Sequence, residues 1–319
     1  MVQADSDGTY TSSGAQGGTE MMLAGLKRHV DPTLLGQVNI ICSRVRELHP
    51  TKPNILWCHD LWNDPEVSFL RDQRQLGKFA KLVFVSHYQQ AMYHVGLGVP
   101  YSAGAVIQNA IEPILEHQKP DASDGRVNLI YHTTPHRGLE LLVPVFVELT
   151  QHFPNMHLDV YSSFNAYGWP ERDKPFEEVF SICREHPQIT YHGFQPNPVI
   201  REALTKAHIF AYPSIWTETS CIAAIEALAA GCDVVCPTRG ALPETTANFA
   251  YLYPSTEKIS DHAEMFAAVL AERIQNYSIP GLESKRIVQQ NYFNTIYNWK
   301  YRASQWTNFL KFILLEHTS

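Results

Sequence analysis

Several common signatures are missing from this sequence. The chain has 319 residues, and its six cysteines form no Cys-x-x-Cys pair, so they are expected to be reduced core residues of a cytoplasmic protein rather than zinc ligands. Neither a G-x-G-x-x-G dinucleotide fingerprint nor a Walker-type Gly-Lys-Ser/Thr motif is present. No apolar run approaches the roughly 20 residues of a membrane span. The polar start does not resemble a signal peptide.

Basic charge is also scarce. Lys and Arg number 25 against 32 Asp and Glu, which gives a net charge of −7 and argues against a nucleic-acid partner. Hydrophobic residues make up 45% of the chain and charged residues 18%, as in a soluble globular protein with real cores. A chain of this length is long enough to form two domains. A peripheral membrane contact and the oligomeric state stay open.

Apolar strand patterns alternate with helical patterns along the chain. Four strands are predicted before a polar linker at 116–126, and six follow it. This alternation predicts an α/β protein with two doubly wound parallel sheets. We expect a first domain at 1–118, a second at 125–290, and a final helix at about 295–316 that crosses back to complete the first domain. The predicted strands are 38–42, 54–59, 81–86, 104–109, 127–131, 157–162, 189–192, 208–212, 233–236 and 250–253.

Two acids mark the most informative stretch, which reads YPSIWTETSCIAAIEALAAG. A helix is predicted over 221–230, capped by Thr219 or Ser220, so that its free N–H groups form an anion site. Glu226 would lie about 8–9 Å further along the axis, where a diphosphate at the helix start would place a ribose. Glu218 would then face a sugar. The alternative is a buried helix with one satisfied and one solvated glutamate.

Four other residues suggest ligand contacts. Arg137 follows a strand and precedes a helix, where the helix dipole disfavours a cation, so it needs an anionic partner: a ligand phosphate or Glu140. His59 ends another strand and would orient an acceptor hydroxyl or a sugar, or else cap its own loop. Gly17 and Gly18 precede a helix, which allows close approach to a phosphate but is also typical of a linker.

These motifs together resemble the retaining glycosyltransferases of family 4, which have the GT-B fold of two Rossmann-like domains facing a cleft. The resemblance extends over nearly the whole chain, and its most specific feature is the Glu-x7-Glu pair of Glu218 and Glu226. The family usually has a buried strand before its Gly-Gly loop, whereas this chain starts in that loop. A small first domain is therefore expected, and either it lacks that strand or the sequence is a truncated form. The similar segments, in order, are GGTE, VFVSHYQQ, VIQNAIEP, HTTPHRGLELL, YHGF, IFAYPSIWTETSCIAAIEALAAGCDVVC, GALPE and NWKYRASQWTNFL.

The resemblance implies roles for particular residues. Glu218 would contact the hydroxyls of the donor sugar at the reacting region, Arg137 would neutralise the leaving diphosphate, and His59 would lie on the acceptor side. His132 stands about where the family has a first basic residue. The residues implied to bind the donor are Gly17, Gly18, His132, Thr219, Ser220 and Glu226.

The implied reaction moves a sugar from a nucleotide diphosphate sugar, a UDP- or GDP-sugar, to a glycan or lipid-linked acceptor with retention of anomeric configuration. No metal and no cofactor other than this donor are expected, because cations and helix dipoles stabilise the leaving group. Two rival interpretations are a nucleotide-sugar epimerase, which has no need of the Glu-x7-Glu pair, and a non-catalytic nucleotide-sugar binder.

Overall fold

The computed structural model of the chain describes residues 2–4, 10–12, 17–116, 119–122 and 124–318. Within these residues the strands form two parallel sheets and one small antiparallel pair. The pair consists of β1 (Val2–Ala4) and β2 (Tyr10–Ser12).

The first parallel sheet has four strands in the order β3-β4-β5-β6. Apolar helical residues cover both of its faces in two separate core clusters, so the predicted doubly wound arrangement is confirmed. The strands are β3 (Asn39–Cys42), β4 (Asn54–Cys58), β5 (Lys81–Phe84) and β6 (Gly104–Val106). The helices are α1 (Gly18–His29), α2 (Pro32–Leu35), α3 (Gln73–Leu76) and α4 (His87–Leu97), with 3-10 helices at Pro65–Arg71 and Tyr101–Ala103.

The boundaries of α4 illustrate how local sequence sets these elements. Ser86 is the N-cap residue, and its Oγ accepts a hydrogen bond from the Gln89 amide at 2.9 Å. Gly98 ends the helix in a left-handed conformation with φ of 73°, which glycine adopts without steric cost. The helix therefore starts directly at the carboxyl end of β5, on the rim where ligands bind in such sheets.

The second parallel sheet has six strands in the order β12-β11-β10-β7-β8-β9. Counted within this domain the order is 6-5-4-1-2-3, the doubly wound dinucleotide-binding order, whose direction of winding reverses between β7 and β10. A crevice opens at such a reversal, because the loops that follow the two central strands turn to opposite sides. The strands are β7 (Asn128–Tyr131), β8 (His157–Val160), β9 (Ile189–Tyr191), β10 (Ile209–Ala211), β11 (Asp233–Pro237) and β12 (Tyr251–Tyr253).

Helices cover both faces of this sheet and share one large core with it. The longer ones are α5 (Leu139–Leu149), α6 (Glu177–Glu185), α7 (Asn197–Lys206), α8 (Ile222–Ala229) and α10 (Ile259–Gln275). The short ones are α9 (Leu242–Thr245) and the 3-10 helices Pro135–Arg137, Phe164–Tyr167 and Pro170–Phe176.

The C-terminal part of the chain differs from the sequence prediction. The predicted helix at about 295–316 is α12 (Trp299–Thr318), and it is preceded by α11 (Leu282–Ile296), which the sequence did not predict. Only two residues of α11, Gln289 and Phe293, are buried. A helix with so few buried positions shows no strong apolar periodicity in its sequence. Helix α12 packs Trp306 against Trp57 of the first sheet, with ring centroids 4.7 Å apart.

Candidate active site

A cleft with a volume of about 1960 Å³ lies between the two domains and is lined by residues of both. Its walls include the loops that follow the carboxyl ends of β3, β4, β7, β8 and β10. The residues that the sequence identified as candidates all line this cleft: Gly17, Gly18, His59, His132, Arg137, Glu218, Thr219, Ser220 and Glu226.

Arg137 and Glu218 meet at the reversal point of the second sheet. Arg137 ends the 3-10 helix that follows β7, and Glu218 lies in the loop that follows β10. Arg137 Nη1 and the Tyr212 hydroxyl both donate hydrogen bonds to Glu218 Oε1. Glu218 is only 3% exposed, which differs from the solvated glutamate of the alternative interpretation. The anionic partner of Arg137 is therefore Glu218 and not Glu140.

The charge of Arg137 is retained inside the cleft. Burial lowers the pKa of Arg137, but the nearby Glu218 outweighs this effect and holds the pKa well above its usual range. Arg137 Nη2 also donates to the Tyr167 hydroxyl at 3.4 Å, and its guanidinium lies 5.8 Å from the ring centroid of Trp216. The site thus offers a fixed cation next to the first turn of α5.

Two glycines allow the loops around Glu218 to pack closely. A Cβ on Gly138 would lie 2.3 Å from the Pro213 carbonyl oxygen, and its φ of 129° is unfavourable for other residues. A Cβ on Gly240, where φ is 61°, would lie 2.6 Å from the Glu218 amide nitrogen. The Ala241 amide donates to the Glu218 carbonyl at 2.8 Å. Backbone contacts on two sides therefore set the position of Glu218.

Glu226 lies on α8 and is 3% exposed. Asn197 Nδ2 donates to both carboxylate oxygens, at 3.1 and 3.0 Å, and Arg201 Nη1 donates to Oε1 at 3.0 Å. Burial raises the pKa of Glu226, whereas Arg201 lowers it. A carboxylate has about four acceptor positions, so these three bonds leave one for a ligand hydroxyl. The protein itself thus supplies most of the hydrogen-bond donors to Glu226, which the sequence analysis had expected from the ribose of a ligand.

The start of α8 differs from the sequence prediction. Cys221 is the N-cap residue and neither Thr219 nor Ser220 caps the helix. Thr219 is used between the domains instead: its Oγ1 donates to the His59 carbonyl at 2.9 Å, and its carbonyl accepts from Ser86 Oγ at 2.6 Å. The extended backbone up to Cys221 delays the first helical turn until Ile222.

The first turns of α1 and α8 come together across the cleft. A Cβ on Gly18 would lie 3.2 Å from Ile222 Cδ1, and Gly18 and Ile222 are the first residues of the two helices. A Cβ on Gly17 would lie 2.9 Å from the Tyr167 ring. Glycine at these positions lets the domains approach closely. Two helix N-termini facing one space favour an anion there.

Two histidines present polar atoms to the cleft without a hydrogen-bond partner among the described residues. These atoms are Nε2 of His132 and Nε2 of His59. Burial lowers the pKa of each ring to about 3, so both are neutral near pH 7. His132 can therefore hydrogen-bond to a phosphate but does not bring the positive charge of the family's first basic residue.

Sequence reasoning missed several residues that shape the site, namely Asn197, Arg201, Tyr212, Gly138 and Gly240. Asn197 and Arg201 lie on α7, and no sequence spacing relates them to a glutamate on α8. Tyr212 ends an apolar strand and resembles a core residue. The two glycines were quoted within motifs, but the close contacts that require them become visible only in three dimensions.

The fold and this cleft define a two-domain α/β protein whose parallel sheets face a common cleft, and comparison with known proteins identifies the family. Residues 117–280, just over half of the chain, match the model of the family Glycosyl transferases group 1. The chain belongs to this family. In the part of the chain that the structure describes, no helix has the length and apolar character needed to cross a membrane.

One curated relative is a component of the human phosphatidylinositol N-acetylglucosaminyltransferase, and it is 24% identical over 200 residues. The match covers 61% of this chain but only 38% of the human protein. This chain therefore corresponds to well under half of that relative's length.

Similar solved structures are glycosyltransferases and show the GT-B-like fold. A glycosyltransferase from Rickettsia africae has a TM-score of 0.69 at 14% identity, covering 96% of this chain and 84% of its own. The pneumococcal O-GlcNAc transferase GtfA, solved with UDP and GlcNAc, has a TM-score of 0.61 at 15% identity. The match covers 83% of this chain and 53% of GtfA. HepE of Anabaena, solved with UDP and glucose, has a TM-score of 0.58 at 17% identity. The match covers 82% of this chain and 72% of HepE.

Proposed function

We propose that this chain is a retaining glycosyltransferase of the family 4 type that transfers a sugar from a nucleotide diphosphate sugar to a glycan or lipid-linked acceptor. One observation carries the proposal: Arg137, Glu218 and Glu226 line one interdomain cleft, with the first two in direct contact at the reversal point of the second sheet. Ligands of such sheets bind at this point.

The diphosphate of the donor would occupy the space between Arg137 and the first turns of α1 and α8. The close approach of Gly18 to Ile222 brings two sets of helix N-terminal amides to this space. Arg137 supplies a charged donor, and His132 Nε2 supplies a buried polar atom with no partner among the described residues. Such preorganised donors would stabilise the charge that develops on a leaving nucleoside diphosphate, without a metal.

The two glutamates would hold the ends of the donor. The remaining acceptor position on Glu226 would take a ribose hydroxyl, and Asn197 and Arg201 would fix its carboxylate for that bond. Glu218 would accept hydrogen bonds from the transferred sugar. Its bonds to Arg137 and Tyr212 keep it oriented toward the position of the leaving phosphate.

A UDP-sugar is the first donor to test. The pneumococcal and Anabaena structures were solved with UDP, and the human relative's name assigns it N-acetylglucosaminyl transfer. UDP-GlcNAc and UDP-glucose are therefore the donors to test first. GDP-mannose is included to show whether the protein prefers uracil or guanine as the base of the donor.

The proposal is tested by donor turnover. Wild-type protein is incubated with each donor, EDTA and a panel of glycan and lipid-linked acceptors, and nucleoside diphosphate release and the anomeric configuration of the product are measured. We expect transfer with retention in the presence of EDTA. Glu218→Gln should lower the rate by at least about 100-fold, as losses of one preorganised polar group in a site typically do.

Glu202→Gln is the matched control, because Glu202 pairs with Lys206 on the exposed face of α7 and does not line the cleft. It should leave the rate unchanged. Donor binding without turnover for every acceptor would favour the non-catalytic binder, and change of the donor sugar itself would favour the epimerase.

A further inference from the structure

The wall of the cleft that the first domain supplies contains a cluster of polar side chains with unpaired buried atoms. This cluster consists of Ser43, which follows β3, and of His59 and Asp60, which follow β4. Among the described residues, Ser43 Oγ, His59 Nε2 and Asp60 Oδ2 are buried atoms without a hydrogen-bond partner, and all three residues line the cleft. Buried polar atoms are normally paired, so this cluster is expected to have a ligand.

Ser43 shows that the cluster is held against local preference. Its φ is 59°, in the left-handed region that non-glycine residues seldom adopt, and the residue is 9% exposed. The Ser43 amide donates to the Trp57 carbonyl at 2.9 Å, which fixes the turn to the neighbouring strand. Strain of this kind at a cleft is a reason to look for a function.

The backbone that carries His59 and Asp60 is fixed as well. The Asp60 carbonyl accepts from Gln89 Nε2 at 2.8 Å and from the Tyr93 hydroxyl at 3.1 Å. The His59 carbonyl accepts from Thr219 Oγ1 at 2.9 Å. All three donors come from distant parts of the chain, so the two side chains are presented to the cleft by a preorganised loop.

The chemistry of the cluster selects an uncharged ligand with several hydroxyls. A carboxylate accepts hydrogen bonds but donates none, whereas a serine hydroxyl does both. Burial, followed by the charge of Asp64, raises the pKa of Asp60, whereas the nearby Ser43 hydroxyl and the charge of Arg44 lower it. A phosphate or carboxylate offers acceptor oxygens and a further negative charge beside Asp60, so it fits this position worse than a hydroxyl, which can donate to Asp60 Oδ2.

We propose that Ser43 and Asp60, beside His59, form a specificity site that recognises vicinal hydroxyls on a neutral polyol ring, so that the group glycosylated is the sugar or cyclitol end of the acceptor. This inference rests on the proposed function and deepens it, because it names the acceptor class. A long-chain alcohol has a single hydroxyl and would leave part of the cluster unpaired, and a phosphorylated acceptor would bring a negative charge beside Asp60.

Binding of simple probes tests the proposal. Methyl α-D-glucopyranoside, methyl α-D-mannopyranoside and myo-inositol are compared with glycerol 3-phosphate and 1-octanol by ligand-observed NMR on the full chain saturated with UDP. We expect at least one neutral polyol to bind and the other two probes to bind more weakly. Asp60→Asn should weaken polyol binding about tenfold, because a charge-assisted bond is replaced by a neutral one.

Two further variants separate recognition from folding. Asp64→Asn makes the same charge change nearby, but the Asp64 carboxylate already accepts from the Glu66 amide at 2.8 Å, so polyol binding should hardly change. Ser43→Gly relieves the left-handed strain and removes the hydroxyl, so the melting temperature should rise while polyol binding falls. A residue with only a structural role would not produce that combination.

The outcomes are distinct for this inference and for the proposed function. The inference is overturned if no neutral polyol binds, if Asp60→Asn binds the polyol like wild type, or if glycerol 3-phosphate or 1-octanol is the preferred probe. If neither UDP nor GDP binds, the proposed function fails and the assignment of the polyol as acceptor fails with it, whereas polyol binding to the nucleotide-free chain still tests the polyol site itself.

Discussion

Glu218 is buried, and its immediate surroundings are built to hold a negative charge. Arg137 and Tyr212 both donate to its Oε1, and backbone contacts from the loop at Gly240 hold its main chain. A diphosphate that enters the cleft would share Arg137 with Glu218. The same guanidinium can then couple the orientation of the donor sugar to the neutralisation of the leaving group.

Replacement of one tyrosine hydroxyl tests this coupling. Tyr212→Phe removes a hydrogen-bond donor to Glu218. The control is Tyr131→Phe on the adjacent strand β7, which removes a donor to the Thr134 carbonyl. Each change should cost about 1–2 kcal/mol of unfolding free energy, because a buried acceptor loses its partner. Only Tyr212→Phe should also lower kcat, by about tenfold, with a smaller change in KM. Equal turnover of the two variants would contradict the coupling.

His132 provides a prediction for pH. Its pKa is about 3 in the folded chain because the ring is buried, and an ordinary value of about 6.5 is expected in the unfolded chain. Below pH 6.5 the unfolded chain therefore binds a proton that the folded chain does not, and stability is lost as the pH falls from 6.5 toward 3. The loss at pH 5 should be up to about 2 kcal/mol.

Urea unfolding of the wild type and of His132→Gln at pH 7 and pH 5 measures this contribution. The variant should lose less stability between the two pH values than the wild type, whatever its stability at pH 7. An identical loss in both proteins would show that His132 is not buried in its neutral form.

The sequence pointed to the charged residues of the site, but it did not show which side chains pair with them. The two acids of the stretch 212–231 and Arg137 stood out because charge is rare in apolar strand ends and short helices. Arg201, which pairs with Glu226, is one charge among several on α7 and carries no local signal. Pairing between side chains on different helices depends on packing, which single-sequence patterns do not encode.

Among the secondary-structure elements, the junction of the loops after β7 and β10 determines the shape of the site. Gly138 is where the α5 N-terminus passes the Pro213 carbonyl. Any side chain there would push the Arg137 loop away from the Glu218 loop. The contact between the two charged residues therefore depends on a residue that has no functional group.

Gly138→Ala and Gly98→Ala form a matched pair for this argument. Both glycines have positive φ, but a Cβ at Gly98 would meet nothing within 4 Å, whereas one at Gly138 would meet the Pro213 oxygen at 2.3 Å. Gly98→Ala should cost about 1–2 kcal/mol of unfolding free energy from backbone strain. Gly138→Ala should cost about 3 kcal/mol or more and reduce donor turnover.

Chemical denaturation and turnover assays on the two variants provide the measurement. Similar costs for the two substitutions, with turnover unaffected in both, would mean that the loops do not need this close approach.

Every strand of the two large sheets was predicted from sequence, because buried parallel strands are short apolar runs between turn signals. The helix start at α8 was placed too early. Thr219 has the composition of a cap, but its side chain bonds to the other domain. Helix α11 was missed because its exposed surface is large and its apolar pattern weak. At α8, therefore, a tertiary contact overrides a local preference, whereas at α11 the local signal itself is weak.

At the scale of the whole molecule, a few polar contacts hold the domains together across the cleft. Glu244 on α9 accepts from the amides of His87 and Tyr88 at 2.9 and 2.8 Å, so a carboxylate of the second domain satisfies the N-terminus of α4 in the first. Thr219, next to Glu218, bonds to His59 and Ser86. The contacts across the cleft and the position of Glu218 are thus physically linked.

Hydrogen exchange tests the contact made by Glu244. In Glu244→Gln the amides of His87 and Tyr88 lose a charge-assisted acceptor, so their protection should fall about tenfold or more while the core of the β4 and β5 sheet stays protected. Glu140→Gln, an exposed acid in the first turn of α5, is the control and should leave these amides unchanged. Unchanged protection in Glu244→Gln would mean that this contact does not hold the domains closed.

The sequence predicted two domains, because the alternation of strand and helix patterns is interrupted by a polar linker and resumes after it. The boundaries at 118 and 125 and the assignment of α12 to the first domain remain proposals, supported by the packing of Trp306 against Trp57. The contacts between the domains could not be predicted, because they join residues far apart in sequence and depend on the relative orientation of two folded units.

The central claim is that Arg137, held by Glu218 at the reversal point, binds the diphosphate of a nucleotide sugar. The most direct measurement is calorimetric binding of UDP and UMP, and of GDP and GMP, to wild type and to Arg137→Gln. The wild type should bind one diphosphate about 10- to 100-fold more tightly than its monophosphate, as expected for charge-assisted bonds. Arg137→Gln should retain the monophosphate affinity and lose most of that difference. Failure of the wild type to bind either diphosphate, or an undiminished difference in a folded variant, would contradict the account.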